Sequence, residues 1–350
     1  MNYPNVDAVK KILFIQTKGG IGDLLTASPV TEAVAGRFSQ ASIHCWVNPG
    51  FQAILEGNPF VTGFFKPDPS GLLSRNVRAV RNERFDLAIM PWGTAEHAWT
   101  TFLSGIPIRV GQDDRLLYSF LFTHKIRRRT DHGDTDSHMV DCLLDYARNL
   151  GCQVEGLRPR IWLTDDERAK GRNLLASMGI GEADRIIGMH VGKGLNISPD
   201  RWPVDKFAEI GKLIANQPGF KLVLTGGSAE KEAVDETERR IGIPVVNLAG
   251  KTDLRILAAV LSQIDAFICP DSGPGHMAAA VDTPVVSIFA LKSDFPNRWR
   301  PFGDQHRVIR VKDPACDDKC VKETCPYFKC LLGIDVNEVA SAAIELAQRK

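Results

Sequence analysis

The sequence has no run of about 18 apolar residues, the length that a membrane-spanning helix needs. The apolar stretch at residues 12–15 is too short to be the hydrophobic region of a secretion signal. An excess of charge of one sign is also missing, since 43 Lys and Arg residues stand against 42 Asp and Glu residues. We therefore expect a cytoplasmic protein, and its nearly neutral balance does not favour binding to nucleic acid.

The eight cysteines lack the paired C-x2-C spacing that is common in zinc sites. Four of them nevertheless lie within fifteen residues, with the spacing C-x3-C-x4-C-x4-C. Four thiolates this close in sequence could hold a structural Zn²⁺, and the alternatives are free thiols or local disulfides. The candidate ligands are Cys316, Cys320, Cys325 and Cys330.

Short apolar strands alternate with helical patterns along most of the chain, which indicates an α/β protein built on parallel sheets. A length of 350 residues accommodates about two domains. The polar stretch between Thr164 and Asp184 contains a helical pattern but little sign of a strand, so it marks the junction. We predict one doubly wound domain over residues 1–165 and a second over residues 166–335.

The first predicted strand, residues 11–17, is followed at once by a glycine-rich turn that contains Gly20 and Gly22. The spacing of this turn is not G-x-G-x-x-G, so it does not by itself indicate a nucleotide. Glycines let another molecule approach the backbone, and the dipole of the following helix favours an ionised Asp23, which could act as a base. The alternative is that Asp23 is only a favourable charge at a helix N-terminus.

A second turn of this kind joins a strand at residues 265–269 to a helix predicted over residues 276–281. In a parallel sheet such a turn lies at the carboxyl edge of the strands, and the unpaired N–H groups of the helix favour phosphate. Asp271, Ser272 and His276 are placed to contact that phosphate. The alternative is a helix capped by Asp271 or Ser272 beside a histidine with ordinary hydrogen bonds.

Further polar residues follow neighbouring strands of the second predicted domain. Lys193 lies in a glycine-rich loop, while Glu230 and Thr252 follow the next two strands. Because the carboxyl ends of parallel strands meet at one edge of a sheet, this set suits a nucleotide diphosphate with its ribose and base.

The densest basic run of the chain lies in a polar loop of the first predicted domain. Facing an anionic ligand, such a run could bind phosphate or carboxylate groups. The alternative is an ordinary solvated loop. The basic residues are Lys125, Arg127, Arg128 and Arg129.

Three motifs, in this order along the chain, resemble glycosyltransferase family 9, the heptosyltransferases of lipopolysaccharide core assembly. They are Gly20-Ile-Gly-Asp23 after the opening strand, Arg201-Trp202-Pro203, and Asp271-Ser-Gly-Pro-Gly-His276 with its alanine-rich helix. The resemblance covers nearly the whole chain. It implies a GT-B fold, in which two Rossmann-like domains face each other across a cleft, with the acceptor in the first and the nucleotide sugar in the second. It also implies a C-terminal helix, about residues 336–350, that packs back on the first domain.

The resemblance further implies an inverting transfer of heptose from ADP-heptose to a Kdo or heptose residue of the lipopolysaccharide inner core, without a cofactor in catalysis. Asp23 matches the family's proposed catalytic base, and Glu230 matches a ribose contact. The lipid-linked anionic acceptor would bind near Gly20, Gly22 and the basic run, and would bring the protein to the cytoplasmic face of the inner membrane. The matched donor-binding residues are Asp271, Ser272, Gly273 and His276, with Thr252 in the loop that borders the base.

The chain departs from the family pattern at Asp200, where members commonly carry a lysine that binds phosphate. Lys193 or Arg201 is the expected replacement. Two other classes remain open, a nucleotide-sugar epimerase of the same fold and a binding protein that holds the nucleotide without turnover. A family 9 enzyme that uses another sugar donor is a further alternative. Asp23 separates the transferases from the other two classes, which are not expected to place an acid in the first glycine turn.

Overall fold

The computed structural model describes residues 4–192, 202–289, 296–311 and 329–349. The chain forms two compact units, Met1–Trp162 and Leu163–Lys350. The sequence placed the boundary between them after residue 165. Each unit has its own parallel sheet and its own hydrophobic core.

The first unit contains a six-stranded sheet with the spatial order β3-β2-β1-β4-β5-β6, in which all neighbouring strands run parallel. The strands are β1 (Lys11–Gln16), β2 (Ser42–Val47), β3 (Gly63–Phe64), β4 (Leu87–Trp92), β5 (Ile108–Gln112) and β6 (His124–Ile126). The α-helices are α1 (Ile21–Ala27), α2 (Pro29–Arg37), α3 (Leu73–Glu83), α4 (Ala95–Leu103) and α5 (Met139–Arg148). Short 3-10 helices cover Val6–Ala8, Pro49–Ile54, Ser119–Leu121 and Arg129–His132.

Strand β1 lies in the middle of this sheet, between β2 and β4. Every residue from Ile12 to Gln16 is buried, which explains why the strand is almost continuously apolar. On one face, Leu13 and Ile15 join a core that includes Val80 of α3 and Ala98 of α4. Because both faces of β1 are covered, the turn that follows it is held at a fixed position on the carboxyl edge of the sheet.

The second unit repeats the arrangement with the spatial order β12-β11-β10-β7-β8-β9, again with parallel neighbours. The strands are β7 (Arg185–His190), β8 (Phe220–Thr225), β9 (Val246–Asn247), β10 (Ala266–Pro270), β11 (Val285–Ile288) and β12 (Arg307–Ile309). The α-helices are α6 (Asp165–Ser177), α7 (Val204–Ala215), α8 (Lys231–Ile241), α9 (Leu254–Leu261), α10 (Gly273–Ala280), α11 (Pro296–Trp299), α12 (Lys329–Leu332) and α13 (Val336–Gln348). A 3-10 turn at Ser228–Glu230 precedes α8.

The C-terminal helix α13 covers part of the second sheet. It packs against α7 and strands β7, β10 and β11 of the second unit, and the expectation that this helix packs back on the first domain stays a prediction. Its buried residues, among them Val339, Ala343 and Leu346, belong to the same core as Ile187 and Ile268. The apolar stripe of α13 is therefore used to cover one face of the second sheet.

Two local elements also differ from the sequence prediction. The basic run was assigned to a loop, yet His124–Ile126 forms β6, which pairs with β5 at the edge of the first sheet. Helix α10 begins at Gly273, three residues earlier than predicted, because Pro274 suits the first turn of a helix, where its missing N–H costs nothing. Within the described ranges, no helix is both long and apolar enough to cross a membrane.

Candidate functional site

In each unit the chain first adds strands on one side of its first strand and then returns to add the remaining strands on the other side. The strand order therefore reverses next to that first strand. In open α/β sheets, ligands bind at the carboxyl edge of the strands next to such a reversal. The reversal lies between β1 and β4 in the first unit and between β7 and β10 in the second. The predicted residues that follow strands at these carboxyl edges are Gly20, Gly22 and Asp23 in the first unit, and Glu230, Thr252, Asp271, Ser272, Gly273 and His276 in the second.

Asp23 occupies the first turn of α1, directly after β1. Its Oδ2 accepts a hydrogen bond from the N–H of Gly20 at 2.6 Å, so the carboxylate folds back over the glycine turn. Gly19 has φ +84°, and a Cβ on it would lie 2.4 Å from Asp23 Oδ2. Only glycine therefore fits under the carboxylate. Burial raises the pKa of Asp23 above its ordinary value, although the bond from Gly20 acts in the opposite direction.

His97 lies on the other side of the same strand reversal, in the first turn of α4, and the sequence analysis did not select it. Its Nδ1 accepts from the N–H of Thr94 at 3.2 Å and lies 2.6 Å from the Thr94 hydroxyl. The ring packs edge-on against Trp46, with ring centroids 4.6 Å apart. Burial lowers the pKa of His97 to about 4, so the ring is neutral at pH 7. With Nδ1 accepting, Nε2 carries the proton and can donate to a ligand.

The position of His97 could have been anticipated in part. It follows a predicted strand after Gly93 and Thr94, which is the same strand, glycine and helix pattern as at Asp23. Periodicity alone does not distinguish a histidine at a helix start from one on an exposed helix face. Only the fold shows that β1 and β4 are neighbours, which places His97 at the same sheet edge as Asp23. The N–H of Thr17 donates to the carbonyl of Trp92 at 3.1 Å and joins the two strand ends.

The basic run has a mixed environment. Lys125 lies exposed in β6, and Arg127 is exposed and contacts His132 Nδ1 at 3.2 Å. Arg128 pairs with Asp131 through a 2.8 Å bond from Nε, and its NH2 group lies 3.6 Å from Asp114. The charge of Arg128 is therefore partly neutralised by carboxylates of its own unit.

Arg129 is bound more completely. Its Nε and NH2 groups donate to both carboxylate oxygens of Asp145 at 2.7 and 2.6 Å, and its NH1 donates to Asp141 at 2.7 Å. The hydrogen bonds to Asp145 raise the pKa of Arg129, and Arg148 completes the cluster by donating to Asp145 at 2.8 Å. This network joins the segment after β6 to helix α5. Arg129 thus holds the loop in place, which distinguishes it from its exposed neighbours Lys125 and Arg127.

In the second unit, the turn after β10 leads directly into the N-terminus of α10. The N–H of Asp271 donates to the carbonyl of Ile288 at 3.0 Å, which extends the pairing of β10 with β11 to the end of the strand. The Ser272 hydroxyl donates back to the carbonyl of Pro270 at 2.9 Å, so it does not cap the helix that begins next to it. His276 is buried in the first turns of α10. Helix N–H groups at such a position attract phosphate.

Close packing holds α10 against the sheet. A Cβ added to Gly275 would lie 2.6 Å from Cys269 Sγ, so the helix can approach β10 only because this residue is glycine. The alanines that follow, Ala278 to Ala280, are buried as well. The small residues of this motif therefore serve the close approach of helix to strand, which places the start of α10 at the carboxyl edge.

Glu230 and His190 form a second polar group beside this turn. The N–H of Gly227 donates to Glu230 Oε2 at 2.7 Å, while Glu230 Oε1 lies 3.8 Å from His190 Nε2. His190 is the last residue of β7, is fully enclosed and has its Nδ1 3.4 Å from the Thr225 hydroxyl. Burial lowers the pKa of His190 despite the neighbouring carboxylate. His190 was not among the residues that the sequence predicted for the site.

Gly192 packs directly over this pair. A Cβ there would lie 2.1 Å from His190 Nε2 and 2.4 Å from Glu230 Oε1, so no other residue fits without displacing them. The next loop is joined to the same edge, since the N–H of Gly250 donates to the carbonyl of Gly226 at 2.9 Å. Thr252 follows in that loop and precedes Asp253, which caps α9 through a 2.8 Å bond from the N–H of Ile256.

Several candidates lie outside the described residues: Lys193, Asp200, Arg201, Cys316, Cys320 and Cys325. The fourth cysteine of the cluster, Cys330, is buried in α12. Among the described residues, no group of three or more His, Cys, Asp or Glu side chains could hold a metal ion. The zinc hypothesis for the cysteine cluster therefore stays a prediction.

A model of the family described as glycosyltransferase family 9 (heptosyltransferase) matches residues 73–331, which is more than half of the chain. The chain is 25% identical over 308 residues to lipopolysaccharide heptosyltransferase 2 of Salmonella typhimurium, covering 83% of this chain and 85% of that protein.

Two solved structures extend the similarity to the fold. A family 9 glycosyltransferase from Veillonella parvula superposes with a TM-score of 0.83 at 21% identity, covering 97% of this chain and 98% of that one. The E. coli ADP-heptose lps heptosyltransferase II superposes with a TM-score of 0.77 at 22% identity, covering 97% and 99%. The predicted GT-B fold with two Rossmann-like units is confirmed.

Proposed function

Because this chain belongs to glycosyltransferase family 9, we propose that it transfers a heptose from ADP-heptose to a Kdo or heptose residue in the inner core of a lipopolysaccharide precursor. The heptosyltransferase names of its relatives in Salmonella typhimurium and E. coli support this donor and this acceptor class. The single observation that carries the proposal is Asp23, an acid with a raised pKa at the carboxyl edge of the first sheet.

We propose that Asp23 is the catalytic base. A carboxylate whose pKa is raised by burial is a stronger base than an exposed aspartate. In the reaction, Asp23 takes the proton from the acceptor hydroxyl while that oxygen attacks the anomeric carbon. The bond between that carbon and the diphosphate breaks, ADP leaves, and the configuration is inverted. Neutral His97, with a proton on Nε2, is placed to donate to a sugar oxygen at the same edge.

The donor belongs at the carboxyl edge of the second sheet. The start of α10, with Asp271, Ser272, Gly273 and His276, suits the diphosphate, because helix N–H groups stabilise the charge that builds up on the leaving group. Glu230 suits the ribose hydroxyls, and the loop of Thr252 borders the base. This arrangement needs no metal ion for the phosphates, so we propose metal-independent catalysis. Lys193 and Arg201 stay candidates for the cationic partner of the diphosphate.

The acceptor side is proposed for the first unit, where Gly20 and Gly22 leave the backbone open to an approaching sugar. Lys125 and Arg127 are the exposed members of the basic run and suit anionic groups of the acceptor, with Arg128 contributing less because it is paired with Asp131 and Asp114. Arg129, which was predicted to bind the acceptor, is assigned a structural role by its bonds to Asp141 and Asp145. A lipid-linked acceptor would place the protein at the cytoplasmic face of the inner membrane.

A nucleotide panel tests the donor. A ligand at about 100 times its Kd adds about 2.7 kcal/mol to stability, which should raise the melting temperature by about 5–10 °C for units of this size. We expect ADP to shift the melting temperature well beyond UDP, GDP and CDP, and added Mg²⁺ to change it little.

Product analysis with ADP-heptose and a Kdo- or heptose-terminated acceptor completes the test. Transfer of the sugar with inversion supports the proposal. A larger shift with UDP than with ADP would contradict the heptose donor and favour another sugar donor or the epimerase alternative. A nucleotide shift without turnover would favour the binding protein.

A further inference from the structure

The first unit carries a group of exposed apolar side chains that the proposed reaction does not use. Leu116 is 98% exposed, Leu117 76%, Phe120 62%, and Phe102 and Leu103 are each 42% exposed. We call these five residues the apolar ridge. Large apolar side chains exposed together in this way mark interaction sites for proteins or membranes.

Ring contacts hold the ridge together as one surface. Trp99 of α4 packs edge-on against Phe102, with centroids 6.0 Å apart, and against Phe120, with centroids 5.9 Å apart. The guanidinium of Arg109 lies 5.3 Å from the ring of Phe102, and its Nε donates to the carbonyl of Leu121 at 2.7 Å. Helix α4 and the segment after β5 thus share a half-buried aromatic base, and the ridge side chains project from it.

The most exposed part of the ridge is a tight turn. The N–H groups of Tyr118 and Ser119 both donate to the carbonyl of Arg115, at 3.1 and 2.8 Å. The Ser119 hydroxyl donates to the carbonyl of Gln112 at 2.6 Å and accepts from the N–H of Arg115 at 2.8 Å. Leu116 and Leu117 occupy the outer positions of this turn. These hydrogen bonds define the turn that presents the two leucines to solvent.

Basic side chains lie along the ridge. Arg81 donates to the carbonyl of Leu103 at 2.7 Å, and Arg84 lines the same shallow depression beside Ser104 and Gly105. Arg109 stacks on Phe102, and Arg115 precedes the leucine turn. The acidic Asp114 beside it is paired with Arg115 and Arg128, each at 3.6 Å. Asp86 also lines that depression. Four arginines against the two carboxylates Asp86 and Asp114 leave an excess of positive charge around the ridge, which complements an anionic surface.

We propose that the apolar ridge docks on an anionic lipid bilayer, with Leu116, Leu117 and Phe120 inserted below the headgroups and the arginines in contact with lipid phosphates. Convex, protruding leucines fit a bilayer interface, which needs no complementary pocket, better than they fit a protein partner. Arginine side chains can keep their charged ends among the headgroups while their stems cover apolar surface. The inference identifies the surface for the membrane contact proposed above, and in that respect it rests on the proposed function.

Sedimentation of the full chain with lipid vesicles tests the proposal without any acceptor. The vesicles contain phosphatidylcholine alone or with phosphatidylglycerol, at low and high salt. We expect binding that requires the anionic lipid and weakens with salt, as contacts between arginine and phosphate predict. The variant Leu116→Ser/Leu117→Ser should lower the partition coefficient by about tenfold or more, because two side chains no longer insert.

Leu332→Ser provides the matched control, since Leu332 is 49% exposed in the second unit and outside the ridge. This variant should bind vesicles like the wild type. The double variant should keep its melting temperature and its turnover of a soluble acceptor without lipid, so a failure of the transfer reaction and a failure of docking are read separately. The proposal would be overturned if the wild type did not bind anionic vesicles, or if the double variant bound them as well as the wild type does. A dimer that forms without lipid and is lost only in the double variant would also overturn the proposal, because the ridge would then join two copies of the chain.

Discussion

The two units have the same sheet topology but present different chemistry at the strand reversal. In the first unit the turn after β1 carries a carboxylate, Asp23, and the turn after β4 carries the neutral imidazole of His97. In the second unit β7 ends at His190, whose pKa is lowered by burial, and the turn after β10 leads into α10. The same sheet topology therefore carries different polar groups in the two units, and the proposed division of tasks depends on these residues.

The helix starts differ in the same sense. Asp23 and His97 each accept a backbone N–H from the residue three positions earlier, so side chains of the first unit close the starts of α1 and α4. At α10 the Ser272 hydroxyl instead donates to the preceding carbonyl of Pro270. The first unit thus places a carboxylate and an imidazole at its helix starts, whereas the Ser272 side chain does not cap the start of α10 in the second unit. If the proposed division is right, substitutions in one unit should change turnover, and substitutions in the other unit should change nucleotide affinity.

The largest effect is expected from Asp23→Asn. The amide keeps the size of the side chain and can still accept from Gly20, but it cannot take a proton. We expect kcat to fall by about two to four orders of magnitude. ADP affinity, measured by calorimetry, should stay within a few-fold, since the proposed donor-binding residues lie in the second unit. Turnover close to that of the wild type would show that Asp23 is not the base.

The pH dependence gives an independent check of the same residue. A base must be unprotonated, so activity should be lost as the pH falls through the raised pKa of Asp23, at a higher pH than for an exposed aspartate. For stability the sign is opposite: a carboxyl whose folded pKa is raised favours the folded state only while it is protonated, and this contribution is lost as the pH rises. Asp23→Asn should therefore melt no lower than the wild type at pH 7.

Two glycine substitutions, one in each unit, test the proposed roles of the two units separately. Gly19→Ala introduces a Cβ 2.4 Å from Asp23 Oδ2 at a positive φ, so it should displace the carboxylate and lower kcat by about 100-fold. Gly192→Ala introduces a Cβ 2.4 Å from Glu230 Oε1 and should instead weaken ADP binding by about tenfold, the loss of about one hydrogen bond.

The control for this pair is Gly36→Ala in α2, where an added Cβ meets no atom within 4 Å. It should leave both quantities unchanged and can raise stability slightly, as expected for alanine in a helix. If Gly19→Ala and Gly192→Ala change kcat and ADP affinity in the same way, the two units do not divide the work as proposed.

Asp271→Ala and His276→Ala test the diphosphate site proposed for the second unit. Each should weaken ADP binding by about 1–3 kcal/mol if a charge-assisted hydrogen bond is lost. The melting temperature without nucleotide serves as the control, because His276 is buried and its removal can also cost stability. Calorimetry that finds unchanged ADP affinity in both variants would move the nucleotide to another place on the chain.

The smallest effect concerns the basic run. Arg129→Gln breaks the bonds to Asp141 and Asp145 and should lower the free energy of unfolding by about 1 kcal/mol, a value limited by the partial exposure of the pairs. The acceptor KM should not change. Lys125→Gln/Arg127→Gln should do the opposite, raising the acceptor KM and flattening its salt dependence at unchanged stability. If substitutions of all four basic residues had the same effects on stability and on the acceptor KM, this division would be contradicted.

The sequence predicted the main elements well where a pattern is local. The strands predicted at residues 11–17 and 265–269 correspond to β1 and β10, with each end within one residue. It was less successful at β6, because an edge strand of three residues leaves little periodicity, and at the start of α10, because Gly-Pro-Gly is equally compatible with a turn. The contribution of His97 and His190 to the candidate site was missed, since each depends on a neighbouring strand that is distant in the sequence.

The sequence by itself determined the fold class, the family and the acidic residue in the first glycine turn, because strand periodicity, glycine spacing and short motifs are written locally along the chain. Only the tertiary structure decided which polar residues share an edge, which basic residues are already paired, and where α13 packs. Arg128 and Arg129 look like Lys125 and Arg127 in the sequence, yet the fold brings carboxylates of other segments to them, Asp114 to Arg128 and both Asp141 and Asp145 to Arg129. Burial and pairing depend on these non-local contacts, and for that reason the charge available to a ligand could not be read from composition.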